Sequence, residues 1–93
     1  MQTIPEMKES KIEKKVKQHA KLNGWLVFKF TSPGRRGVPD NIFLKNKTAI
    51  FPEFKVLGAK PNKLQEHLFK KIRKQGFHVP IIDNTEKGKK LFT

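Results

Sequence analysis

Between residues 38 and 56, apolar side chains occupy both alternating sets of positions, and this restricts the chain to folds that cover a sheet on two sides. Residues 38–45 and 48–56 read as two strands around an Asn46-Lys47 turn. Ile42, Leu44, Ala49 and Phe51 fall on one face, and Phe43, Ile50, Phe54 and Val56 on the other. A strand pair with two apolar faces needs a layer on each. Two helical segments can supply those layers. Residues 6–23 carry the stripe Ile12, Val16 and Ala20 and stop at Gly24. A second helix begins at Asn62, with Gln65 at the capping-box position, directs Leu64, Leu68, Phe69 and Ile72 inward, and ends at Gly76. Residues 25–30 and 77–82 are rich in strand formers, and Thr85 is placed to cap a short terminal helix. The expected order is helix, three strands, helix, strand, short helix: an α/β fold with a mixed central sheet flanked by helices, in a chain whose 93 residues fit one domain.

The charges of the hairpin carry the chemistry. With Asn46-Lys47 as a two-residue turn, Lys45 pairs with Thr48 and Asp40 falls opposite Glu53. A four-residue loop keeps that register, and an odd-length loop shifts it. Lys55 then shares a face with Glu53. Two facing carboxylates repel. A hard divalent cation relieves the repulsion, because Mg²⁺ is held by one or two carboxylates with waters and phosphate oxygens completing its octahedron. Such an ion polarises a phosphodiester and acidifies a bound water, and a neighbouring lysine orients that water or offsets developing charge. The plainer alternative is a surface ion-pair cluster with Lys55 bridging two carboxylates. In the first helix Glu9 and Glu13 lie beside the apolar stripe. Each is either a rim carboxylate paired with a lysine or part of a charged site.

The formal charge of +13, from 21 Lys and Arg against 8 Asp and Glu, points to a polyanionic partner. Nucleic acid fits best. A membrane surface fits less well, because no long apolar stretch or signal-type segment is present. The absence of cysteine removes disulfides and thiolate zinc ligands and is compatible with a cytoplasmic setting. Arg35 and Arg36, in a loop between Gly34 and Gly37, and Lys29 before it, are candidate phosphate contacts. The remaining lysines read as a diffuse field that gives salt dependence and not sequence selection. His19, His67 and His78 lack metal-ligand spacing.

Val38-Pro39-Asp40, followed after twelve residues by Glu53-Phe54-Lys55, resembles the PD-(D/E)xK nuclease signature. Glu9-Ser10-Lys11-Ile12-Glu13, Lys29-Phe30-Thr31-Ser32-Pro33-Gly34, Gly37-Val38-Pro39-Asp40, Leu64-Gln65 and Gly76-Phe77-His78-Val79 resemble its VRR-NUC branch. The resemblance implies a restriction-endonuclease-like core and a metal-dependent DNA endonuclease that leaves a 5′-phosphate. Asp40, Glu53 and the carbonyl of Phe54 would hold Mg²⁺ or Mn²⁺, Lys55 would be the catalytic lysine, and Glu13 would complete the site directly or through water, with Glu9 as the alternative. Gln65 matches a supporting glutamine of the family; the alternative is that it is only a helix cap. Small stand-alone members are typical of phages and prophages and resemble Holliday junction resolvases acting as homodimers, with one face of the sheet or the first helix as the dimer surface. A flap, nicking or general endonuclease with the same site, and a nucleic-acid-binding module without catalysis, are the competing functions. Pro52 departs from the apolar strand former usual in the family and implies an edge, a bulge, or an N–H position facing away.

Overall fold

A computed structural model describes residues 8–93. The start expected at residue 6 lies outside the described residues. Within them, extended Lys8 is the N-cap and α1 runs over Glu9–Leu22. Asn23 caps its end and Gly24 turns the chain at φ +87. Ile12, Val16 and Ala20 are each at most 1% exposed, so the stripe read from the sequence is spent inside the molecule.

The hairpin register holds for three residue pairs and then breaks. β1 (Leu26–Lys29), β2 (Asn41–Lys45) and β3 (Thr48–Ile50) form an antiparallel sheet in that order. Asn46 and Lys47 take φ 47 and 64, the left-handed pair that a two-residue turn of matching twist requires. Lys45 pairs with Thr48, Leu44 with Ala49 and Phe43 with Ile50. The expected single strand over 48–56 is nevertheless two. β4 (Glu53–Phe54) pairs in parallel with β5 (Ile81–Ile82), Glu53 against Ile81. Asp40 and Glu53 are therefore not ladder partners.

Pro52 explains the change of partner. The N–H groups of Phe51, Glu53 and Lys55 donate to the carbonyls of His78, Pro80 and Ile82, each at 2.9 Å. Odd-numbered residues thus face the last strand, and even-numbered ones face β2. The next donor due to β2 after Ile50 belongs to residue 52, and proline has none. The segment leaves β2 there and continues on its other edge alone, where parallel pairing with the last strand has already begun at Ile50 and Phe51.

α2 (Lys63–Lys74) opens with a complete capping box between Asn62 and Gln65. It buries Leu68 and Phe69, but Leu64, expected inward, is 45% exposed in the first turn. α3 (Thr85–Leu91) is capped by Asn84, whose side chain accepts from Lys87 N at 2.8 Å; Thr85, expected as the cap, is the first helical residue. α1 and α3 cover one sheet face, packing Ile12, Val16, Ala20 and Phe92 with Phe43, Phe54 and Ile82. Gly88 makes that approach possible, since a Cβ there would stand 2.5 Å from Val16 Cγ2 and 2.9 Å from Ile82 Cγ2. The opposite face is less covered than the two-sided pattern implied: Leu26 and Phe28 remain 59% and 51% exposed.

Candidate active site

Carboxylates from three parts of the chain meet at one small cavity. α1 brings Glu9 and Glu13, the start of β2 brings Asp40, and β4 brings Glu53, while Lys29 from β1 and Gln65 from α2 close the sides. The cavity holds about 170 Å³, and Gly37, Val38 and Phe54 also border it. Asp40 and Glu53 therefore converge as the sequence suggested, although by a different route. Beyond Pro52, Glu53 is held by the last strand alone through its N–H, and the loop ahead of Asp40 folds against the start of α2. Gly37 permits that contact: φ is +82, and a Cβ would lie 3.0 Å from Leu64 Cγ and 3.1 Å from Leu68 Cδ1. A side chain there would push the loop from α2.

Charge is distributed unevenly in the cavity. Glu13 accepts from Lys17 at 2.6 Å and from Lys29 at 3.2 Å. Burial raises the Glu13 pKa, but the hydrogen bonds and charges of the two lysines outweigh it and hold the carboxyl below its ordinary range. Lys29 also lies 3.7 Å from Asp40 Oδ2. Its pKa is raised, first by the hydrogen bond to Glu13 and then by that carboxylate's charge. Glu53 behaves oppositely. Burial pushes its carboxyl up, the charge of Lys55 opposes this, and the charges of Asp40 and Glu9 push it further. The enclosed carboxylate is thus incompletely compensated by the protein's own cations.

Gln65 fixes the geometry around Glu53. Its Oε1 accepts from Lys55 Nζ and from the backbone N–H of Asn62, both at 3.0 Å, and its Nε2 donates to Glu53 Oε2 at 3.3 Å. Lys55 Nζ lies 3.6 Å from Glu53 Oε2. One side chain therefore caps α2 and ties the motif lysine to the motif glutamate, so the cap and the site support are the same set of bonds.

Two contributors escaped the sequence reading. Asn41 is 1% exposed and donates to Asp40 Oδ1 at 3.1 Å, while its own Oδ1 is enclosed without a hydrogen-bond partner among the described residues. A polar residue opening an otherwise apolar strand was the available signal. Lys17 was read as one of many exposed helix lysines, yet its i−4 spacing from Glu13 was legible. Arg35 and Arg36 are exposed in their loop and do not line the cavity.

The donors around the cavity are hard oxygens, the set that suits Mg²⁺ or Mn²⁺ and not soft metals. Among the described residues no group of three or more His, Cys, Asp or Glu is arranged to hold a metal ion. The set around the cavity is a carboxylate pair that needs water and phosphate oxygens to complete it, with Glu13 engaged by lysines. Two carboxylates bordering a small cavity open to water and phosphate are the donor chemistry that such a hard ion takes.

No family model matches the chain. It is 36% identical over 81 residues to a protein described as "Putative nuclease p44" of Acyrthosiphon pisum secondary endosymbiont phage 1, covering 86% of this chain and 87% of that protein. Its fold matches a solved structure described as a VRR_NUC domain with a TM-score of 0.80, at 28% identity over 89% of this chain and 91% of that one. The chain belongs to the VRR-NUC family of nucleases. Its mixed α/β architecture is the VRR-NUC fold. Among the described residues of this VRR-NUC nuclease, no helix is long and apolar enough to cross a membrane.

Proposed function

We propose that this VRR-NUC nuclease is a single catalytic unit that hydrolyses phosphodiester bonds of DNA with Mg²⁺ or Mn²⁺, at the cavity between Asp40 and Glu53. The observation that carries this reading is the convergence of those two carboxylates with Glu13, beside a lysine held in place, in a chain of net charge +13. A divalent cation held by Asp40, Glu53 and the Phe54 carbonyl would supply Lewis acidity toward the phosphate and acidify a bound water. Lys55, fixed by Gln65, orients the attacking water and offsets negative charge growing on the phosphoryl oxygens. Asn41 holds the Asp40 carboxylate in line. Glu13 completes the site through water and anchors Lys29, which together with Arg35 and Arg36 holds flanking phosphates. Water attack at phosphorus with departure of the 3′-oxygen leaves a 5′-phosphate.

A four-way junction is the proposed substrate, cleaved by a homodimer, because symmetric resolution needs two sites related by a two-fold axis. The apolar stripe of α1 is buried in the core, and the exposure of Leu26 and Phe28 supports the outer face of β1 as the surface of the proposed dimer. Cleavage of four-way junctions, flaps and linear duplex at matched salt, with Mg²⁺, with Mn²⁺ and with neither, tests the reading. We expect metal-dependent cleavage, fastest on the junction, and loss of cleavage with retained binding in Asp40→Asn. Preference for flaps or nicked duplex would reassign the substrate. DNA binding with no cleavage under either metal would reject catalysis.

A further inference from the structure

Exposed lysines stud both long helices, and those on one face of α1 line a groove that adjoins the catalytic cavity. Alongside α1 runs an open groove of about 390 Å³ lined by Lys14, Lys17, Gln18 and Lys21, sharing Glu13 and Lys29 with the catalytic cavity. The four α1 positions follow the i, i+3, i+4, i+7 spacing of one helix face. From Lys14 to Lys21 the axis advances roughly 10 Å, at about 1.5 Å per residue. Four lysines face a single carboxylate there, and that carboxylate already accepts from Lys17 at 2.6 Å and Lys29 at 3.2 Å. The groove therefore presents a surplus of positive charge together with a neutral hydrogen-bonding amide. Lys14 and Lys21 are exposed at its rim.

We propose that this groove is a binding track for the sugar–phosphate backbone of the strand leaving the catalytic cavity. Lys14 and Lys21 contact phosphates toward the two ends of the track and Gln18 hydrogen-bonds between them, which makes α1 the element that sets substrate direction. This rests on the nuclease reading of the adjoining cavity and adds to it a path for the substrate. At about 3.4 Å of axial advance per nucleotide, the track spans roughly three nucleotides beyond the reacting phosphate. All its groups address phosphate and none reads a base edge, so it contributes affinity and direction without sequence preference. Lys63, Lys70 and Lys74 of α2 are equally exposed. A diffuse basic field would weight them the same as Lys14 and Lys21, and a track would not.

The contrast is measurable with two variants of equal charge. In an Asp40→Asn background, Lys14→Gln/Lys21→Gln and Lys70→Gln/Lys74→Gln each remove two exposed lysines. Binding of a labelled four-way junction and a labelled duplex is followed by fluorescence anisotropy between 50 and 200 mM KCl, with thermal melts to confirm folding. Each lost phosphate contact lowers the slope of log K against log salt by about 0.9, so the α1 pair is expected to lower it by about 1.8 and the α2 pair by well under half of that. Equal slope changes in the two variants, or a larger change in the α2 pair, would overturn the track while leaving the nuclease reading intact. Failure of the Asp40→Asn parent to bind DNA would overturn both.

Discussion

Gln65→Ala should separate catalysis from stability more sharply than removal of a motif acid. The substitution deletes the acceptor of two N–H groups at 3.0 Å, those of Lys55 Nζ and Asn62, and the donor to Glu53 at 3.3 Å. It leaves the reciprocal bond from Gln65 N to Asn62 Oδ1, 2.9 Å, in place. The lost bond to Asn62 lies at an exposed helix start where water replaces it, so half of a capping box costs about 0.5–1 kcal/mol. The Lys55 bond is partly buried and charge-assisted, a class whose net contribution is about 1.5–3 kcal/mol, of which the neighbouring Glu53 carboxylate recovers part. A total loss of about 1–2 kcal/mol in denaturant unfolding is expected. Because supporting partners of this kind are worth about 10–100-fold in activity, the cleavage rate should fall by that factor across a Mg²⁺ titration.

Asn62→Ala is the control. It removes the other half of the cap, costing about 1 kcal/mol, yet leaves the Gln65 side chain beside Lys55 and Glu53. Its cleavage rate should stay within about twofold of the parent protein by the same reasoning. Equal loss of activity in both variants would refute the assigned role of Gln65, because the effect would then travel through the start of α2. Full activity in Gln65→Ala would refute it directly.

The other predictions concern charge and packing. The Glu53 carboxyl is raised from its ordinary value of 4.5 by burial, against the opposing charge of Lys55 and with the charges of Asp40 and Glu9 adding to the rise. The native state then keeps this proton to higher pH than the unfolded chain does. Glu53 therefore contributes most to stability below 4.5, and that contribution is lost as pH rises through the folded pKa. Glu53→Gln should accordingly raise the Tm of the metal-free protein at pH 7 and change it little near pH 4; a lower Tm at pH 7 would contradict the assignment. Gly88→Ala should destabilise, although alanine is the better helix former by about 1 kcal/mol. Its Cβ would meet Val16 Cγ2 at 2.5 Å, and Val16 is β-branched within a helix and has no free rotamer to escape into. An overpacking cost of about 1–3 kcal/mol should leave a net loss, seen as a lower Tm; a rise would show that α3 can shift.

Features determined by the sequence alone are those set by neighbours along the chain. The Asn62–Gln65 capping box, the Asn46-Lys47 turn with its three paired positions, and the buried stripe Ile12, Val16 and Ala20 each follow from a local period or a local hydrogen bond. The nearness of Lys55 to Glu53, two residues apart, was legible in the same way, but the register that set Asp40 opposite Glu53 was not kept, and those two carboxylates meet through packing. The departure at Pro52 was visible too, but not its outcome. A missing N–H says that one ladder ends, whereas which strand takes the other edge depends on residues 78–82, far along the chain. Only the tertiary structure decided that partner, and with it the true setting of Glu53. It also decided that Lys29 joins Lys17 in holding Glu13, that Asn41 orients Asp40, and that α1 carries a basic groove into the cavity. Gly88 is the clearest case: in the sequence it is only a poor helix residue, and its reason lies in side chains of α1 and β5 that no local pattern connects to it. Periodicity reports which face of an element is apolar. The packing of elements distant in sequence decides what that face meets.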